Sequence, residues 1–338
     1  MTNSLPNSKV ELRERILALL WRQWSALGVA GQVSTNSRAL IDPEALLLMS
    51  TVFARYDARL FDEIVDWLRA NGIWINVLRL TRLQAEYQLG DRSILGALAE
   101  HLVQGSAHAK WKALAKQDGE VREPRRLFPH LALVSKNDEI FFRWGWMRPP
   151  IENRGLSTPP RPNQPATFLL KLRALFGRQA RVEILAWLLS HPSGHPAQIA
   201  RETGYFRGSI QNVLNELELS GHVFATRQGR EKLFAVRSDQ WRFLLTWDQR
   251  EAPEYPRWLP WPTLFGLIRG VHDLAETPGF SQHSFNLQAV EMTRVISPIM
   301  ASLAAEGYPP PFVLDVTASI PAEHIVREVG RLIGELEK

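Results

Sequence analysis

HPAQIARETGYFRGSIQNVLNELELSGHVFATRQGREKLFAV (residues 195–236) contains two short helical patterns separated by a tight turn, then two β-rich runs around a basic tip. Two crossing helices need a small residue at their contact, a turn-former between them and apolar residues behind the second. Ala200, Gly204 and Ile210 stand in that order. Glycine enters the left-handed region at little cost, so Gly204 can end the first helix. Ile210, Val213, Leu214 and Leu217 follow an i, i+3, i+4, i+7 stripe that fixes one face of the second helix to a core. Arg207, Ser209, Gln211, Asn212 and Asn215 are assigned to its outer side.

Val223–Thr226 and Leu233–Val236 flank Arg227-Gln228-Gly229-Arg230, with Lys232 nearby, and read as a hairpin with a basic tip. Helix, turn, helix and hairpin in this succession are the layout of a winged helix-turn-helix, which puts one helix in the DNA major groove and a β-wing beside it. The residue types suit that task. Arginine makes a bidentate contact to guanine, and glutamine or asparagine does so to adenine. Arg227, Gln228, Arg230 and Lys232 are candidates for phosphate or minor-groove contacts.

From Leu175 to Arg237 the chain resembles the winged helix-turn-helix of ArsR/MarR-like bacterial transcription regulators. RQARVEILAWLLSH corresponds to the helix preceding the two-helix unit, and NELELSGHV resembles the phrase after the recognition helix. The resemblance covers less than a quarter of the chain. It implies base-facing roles for Arg207, Gln211, Asn212 and Asn215, and wing-tip roles for Arg227, Gln228 and Arg230. Tyr205-Phe206 departs from the family pattern, standing where a small hydroxyl residue usually caps the recognition helix.

LFGRQARVEILAWLL followed by a helix-turn-helix also looks like the leading domain of some nucleotidyltransferase-like proteins. Those continue with a Gly-Ser element and paired acids that hold catalytic metal. Here the continuation is SDQWRFLLTWDQREAPEYPRWLPW, which lacks both. With no phosphate loop or nucleophile motif elsewhere, a non-enzymatic protein without cofactor or metal is expected.

The chain has 338 residues, 45% of them hydrophobic, enough for two or three domains with their own cores. Having no cysteine, it has no disulfide, thiol nucleophile or thiolate metal site. No uncharged apolar run reaches the roughly eighteen residues a membrane span needs. The opening MTNSLPNSKVELRERILALLWRQW reads as an amphipathic helix and not a signal peptide, so a cytoplasmic location is expected. Net charge is +5, and between Pro165 and Arg250 twelve Lys and Arg oppose seven Asp and Glu. That local excess favours a polyanionic partner through counterion release.

Residues 1–117 read as a helical domain, with Asp42-Pro43 opening one helix and Asn71-Gly72 closing DARLFDEIVDWLRANG. Asp62, Glu63 and Asp66 in that segment are expected on a solvated face rather than around a metal. Residues 118–166 read as a mixed strand, loop and Pro-rich connection in which EIFFRWGWMRPP is expected as a packed strand. His191 and His195 flank a turn without the acidic or thiolate company of a metal site. Residues 246–338 read as a second helical domain for dimerisation or sensing, with Pro298 bending or interrupting a helix and FVLDV forming a short apolar run. Its final segment places Ile325, Val329, Leu332, Ile333 and Leu336 on one face, for a core or a dimer contact.

The expected architecture is mainly α with a small β-wing: a central winged helix-turn-helix (167–245) flanked by helical domains. The expected function is transcriptional regulation on double-stranded DNA, as a homodimer at a symmetric operator, with the effector unidentified. A winged-helix protein-interaction scaffold is the alternative, and a degenerate nucleotidyltransferase-like protein a more distant one.

Overall fold

The computed structural model of the chain describes residues 5–31, 37–105, 109–116, 123–132, 135–229, 231–245, 254–309, 312 and 321–336. In chain order its elements are α1 (Leu5–Ala26), α2 (Pro43–Phe53), α3 (Ala58–Asn71), α4 (Val77–Tyr87), α5 (Arg92–Gly105), β1 (Arg125–Arg126), α6 (Glu139–Arg143) and β2 (Trp146–Met147). Then follow α7 (Phe168–Phe176), α8 (Ala180–Ser190), α9 (Pro196–Thr203), α10 (Arg207–Leu219), β3 (Phe224–Gln228), β4 (Glu231–Ala235), α11 (Trp261–Glu276), α12 (Phe285–Ala305) and α13 (Ala322–Leu336). The molecule is mainly helical, and its sheets among the described residues are two-stranded.

Two units divide the chain: Met1–Thr35 with Pro43–Thr158 and Pro260–Lys338, and Asn36–Asp42 with Pro159–Leu259. This grouping differs from divisions at 117, 166 and 245. The reason in the first unit is that α13 packs on α1, with Gly330 leaving room for the Arg15 side chain, so the leading and closing helices share one core. Ile325, Val329, Leu332, Ile333 and Leu336 are all buried there. The apolar face of α13 is thus used within the chain and is not available as the dimer contact the sequence left open.

Local signals explain most helix starts in this unit. Asp57 accepts from the Leu60 amide at 3.0 Å to cap α3, and Asn76 accepts from the Arg79 amide at 3.2 Å to cap α4. Trp24 and Trp67 meet edge to face at 5.1 Å, and each indole N–H is satisfied, by Ser50 Oγ and the Leu27 carbonyl. α12 runs through Pro298 without interruption. Of FVLDV, only Phe312 is among the described residues.

Two expectations in this unit are corrected. EIFFRWGWMRPP supplies the short helix α6, because Asp138 Oδ1 accepts from the amides of Ile140 and Phe141 and caps it. Phe141 and Trp144 are then buried at helical spacing while Phe142 faces outward; only Trp146-Met147 is strand, paired in parallel with Arg125-Arg126. The acids of α3 are not a solvated face. Asp62 pairs with buried Arg148 at 2.7 Å, and buried Glu63 pairs with Arg154 at 2.9 Å. Asp66 accepts the backbone amides of Gly155, Leu156 and Ser157 at 2.9–3.0 Å. The three carboxylates anchor the segment that returns over α3.

In the second unit Leu40 donates to the Arg257 carbonyl at 2.9 Å, and Arg257 donates to the Arg38 carbonyl at 2.8 Å, which brings residues 37–41 into this core. α8 is buried almost all round: Val182, Ile184, Leu185, Trp187 and Leu188 are inaccessible. α7, α9 and α10 pack around it. β3 and β4 form an antiparallel hairpin, and Gly194 extends it by exchanging two 2.9 Å backbone hydrogen bonds with Phe234.

Candidate nucleic-acid interface

α9 begins with Pro196 in its first turn and is capped by His195, whose Nδ1 accepts from the Ala197 amide at 3.2 Å. It ends at Gly204 in the left-handed region, φ 72°, where any other residue would be strained. Ala200 is buried at the approach of α9 to α10. α10 buries Ile210, Leu214 and Leu217, with Val213 partly covered, so the apolar stripe fixes which side faces away from the core.

That outward side holds Arg207, Ser209, Asn212 and Asn215 exposed and Gln211 half-buried. Gln211 Nε2 donates to Asn215 Oδ1 at 3.0 Å, one turn along the helix. Only Arg207 among these five carries a charge. Farther along α10, Glu216 pairs with Arg181 of α8 at 2.5 Å, and Glu218 with Lys232 of β4 at 2.6 Å. The acids of α10 are therefore neutralised by its neighbours, which also clamp its C-terminal half between α8 and the hairpin.

The hairpin strands are longer and the turn tighter than the runs Val223–Thr226 and Leu233–Val236 indicate. Arg227 lies within β3, directly opposite Lys232, so the two point to the same side of the ribbon. Arg227 is exposed, whereas Lys232 is half-buried, held by Glu218 and lying 4.8 Å from the Phe234 ring centroid. Gly229 takes a positive φ of 62° in the turn. Arg230 lies outside the described residues, as does the side chain of Gln228.

The start of α10 lacks a side-chain cap: Phe206 occupies the position and makes no such bond. Tyr205 beside it has a different task. Its hydroxyl donates at 3.1 Å to Oε2 of Glu183, which is fully buried in α8 and takes two bonds on Oε1 from Arg173 of α7, at 3.1 and 2.6 Å. This buried chain from α7 through α8 to the turn positions the α10 entry, and the sequence reading did not identify it. The available signal was a glutamate and an arginine at positions inside otherwise apolar helices.

His191 and His195 also have structural roles. The His191 ring stacks on Trp187 at 3.8 Å and its Nδ1 lies 2.8 Å from the Trp187 carbonyl; burial lowers its pKa despite that bond. Trp187 in turn donates at 2.7 Å to Oε2 of Glu202, a carboxyl that burial holds above its ordinary pKa, against hydrogen bonds from Trp187 and Gln198 and the charge of Arg201.

No protein-family model, curated protein or solved structure matches this chain. Among the described residues no helix is long and apolar enough to cross a membrane.

Proposed function

We propose that residues 167–245 are a winged helix-turn-helix of the ArsR/MarR-like kind and that the chain is a DNA-binding transcriptional regulator in the cytoplasm. The reading rests on one observation above all. α10 follows α9 across a left-handed Gly204, buries Ile210, Leu214 and Leu217, and turns Arg207, Ser209, Gln211, Asn212 and Asn215 outward, with a two-stranded ribbon directly after it. In such a module the outward helix reads base edges and the ribbon contacts the backbone. Exposed Arg227 is the phosphate contact on the ribbon, with Arg230 and Gln228 beside it in sequence. Lys232 contributes to the local positive field while bridged to Glu218. A homodimer on a symmetric operator fits the mode of these regulators, with its contact away from the α13 face that α1 covers. No enzymatic step, cofactor or metal enters this mechanism.

The test is enrichment of duplexes from a randomised pool by the full chain, followed by titration of cognate and random duplexes over a range of salt. The expected result is an enriched palindrome and a steep loss of affinity with salt. Binding that shows neither preference nor salt dependence contradicts it.

A second reading has its own support. Among Arg207, Ser209, Gln211, Asn212 and Asn215 only Arg207 is charged, so this set of residues is nearly neutral, which suits a protein partner as well as a nucleic acid. A protein captured on α10 together with no duplex binding favours this alternative.

A further inference from the structure

We infer that the exposed side of α12 is the surface through which two copies of this chain pair, antiparallel, about a twofold axis level with Ile296. The inference gives the homodimer proposed above its contact; it rests on that homodimer and not on the binding of DNA. Its basis is an outer helix face from which charge is nearly missing.

α12 packs on α11 and buries Ala289, Met292, Ile296, Met300 and Leu303. A surface helix ordinarily carries charge on its other side. α13 does so: exposed Arg327 and Arg331 pair along it with Glu323, Glu328 and Glu335. α12 does not. From Phe285 to Ala305 its charges are Glu291, which lies 3.2 Å from His283, and Arg294. Leu287, Val290, Arg294, Pro298, Ala301 and Ala305 are all exposed and recur every three or four residues, the spacing of a seam between two helices. Leu287 is 44% and Val290 64% open to water. A largely apolar stripe running the length of an outer helix marks an interaction surface.

The order of residues along the stripe selects a second copy as the occupant. Its bulky members, Leu287 and Val290, stand at one end and its small ones, Ala301 and Ala305, at the other. Turned end for end, the stripe matches itself. Val290 comes level with Ala301 of the second copy and Leu287 with Ala305, at both ends at once, as an isologous contact requires. The middle is complementary too. Pro298 has no N–H to give the Arg294 carbonyl four residues back. In this register the Arg294 side chain of the second copy starts about 5 Å along the axis from that carbonyl, within an arginine's reach. Each copy thus donates to the other, which offsets the approach of the two guanidinium groups near the axis. One 21-residue helix, about 31 Å long, is a small contact beside the roughly 800 Å² per partner of a standard interface, so the pairing is weak and depends on concentration.

The experiment is sedimentation velocity of the full chain, without nucleic acid, from about 1 to about 300 μM, where wild type is expected to pass from monomer to dimer. Val290→Glu should weaken the dimer at least about tenfold and keep the wild-type melting temperature, because the position is exposed. Leu287→Gln should weaken it by about fivefold. Adding Ala301→Lys to Val290→Glu should restore the dimer, since the two new charges are level with each other across the pair and far apart within one helix. A dimer that persists unchanged in Val290→Glu, or a loss that Ala301→Lys does not restore, overturns the inference and leaves the homodimer standing on another surface. A wild type that is monomeric throughout overturns the homodimer and this inference with it. If that monomer binds vesicles of phosphatidylcholine and phosphatidylserine and Val290→Glu does not, the stripe belongs to a membrane surface instead. DNA binding is read separately, by the duplex titrations above, and stands or falls on those.

Discussion

Tyr205 hydrogen-bonds Glu183 across 3.1 Å, joining the turn between α9 and α10 to a carboxylate buried in α8. The same carboxylate holds Arg173, so three elements meet at one ionised group shielded from water. Such a group is costly when any partner is removed. Tyr205→Phe leaves Glu183 Oε2 without its donor and is expected to cost about 1–3 kcal/mol in urea unfolding. Glu183→Ala removes both the Arg173 ion pair and the Tyr205 hydrogen bond and is expected to cost more, about 3–5 kcal/mol. Equal losses in the two variants contradict this account.

Asp66 is held below the ordinary carboxylate pKa: burial pushes it up, but the hydrogen bonds from Gly155, Ser157 and Leu156 outweigh burial. A depressed folded-state pKa stabilises above the unfolded value and loses that contribution as pH falls through the folded one. Asp66→Asn, which has one acceptor oxygen and no charge, is expected to lower stability at neutral pH. It should also flatten the fall between about pH 5 and pH 2. Urea midpoints of the two proteins across that range measure it, and parallel curves count against the assignment.

Glu202 carries the opposite sign. Burial raises its pKa, so the folded state binds its proton more tightly than the unfolded chain. Its stabilising effect is complete below the unfolded pKa and is lost as pH rises through the raised one. Glu202→Gln keeps an acceptor for the Trp187 indole without titrating. The variant is expected to gain on wild type as pH climbs from about 4 to 7, read from melting temperatures. A constant difference between the proteins would exclude this linkage.

Arg207→Ala with Gln211→Ala is expected to weaken binding to an enriched duplex by roughly ten- to a hundredfold while leaving random duplexes little affected, because both residues are assigned to base edges. Arg227→Ala should weaken both and reduce the slope of log affinity against log salt by about one. Anisotropy titrations on both duplexes at several salt concentrations separate the roles. A slope unchanged in Arg227→Ala removes the ribbon from the phosphate footprint.

Leu214 is fully buried at the centre of the α10 stripe. Leu214→Ala is expected to cost about 2–5 kcal/mol in urea unfolding, through lost burial and the cavity left behind. A loss within about 0.5 kcal/mol would mean that the stripe does not anchor this helix.

Local chemistry made much of this chain legible before any contact was known. Gly204 as a turn, the 210–213–214–217 stripe, the helix beginning at Pro43 and the uncapped start of α10 each depend on residues within a few positions of one another. The outward assignment of Arg207, Ser209, Gln211, Asn212 and Asn215 follows from the stripe, since burying one side of a helix exposes the other. Tertiary structure decided what depends on distant partners. Asp62, Glu63 and Asp66 read as solvated because charge on a helix is usually exposed, and only the return of residues 148–157 supplies the guanidinium and amide groups that let Glu63 and Asp66 be buried and Asp62 half-buried. α6 replaced an expected strand because its aromatic residues could alternate or follow helical spacing, and Asp138 selects the helix by satisfying two of its amides. The face of α13 could have served a core or a second copy until α1 was found against it. Periodicity states that a face is apolar, but the choice of what covers it is made by whichever surface the rest of the chain brings there.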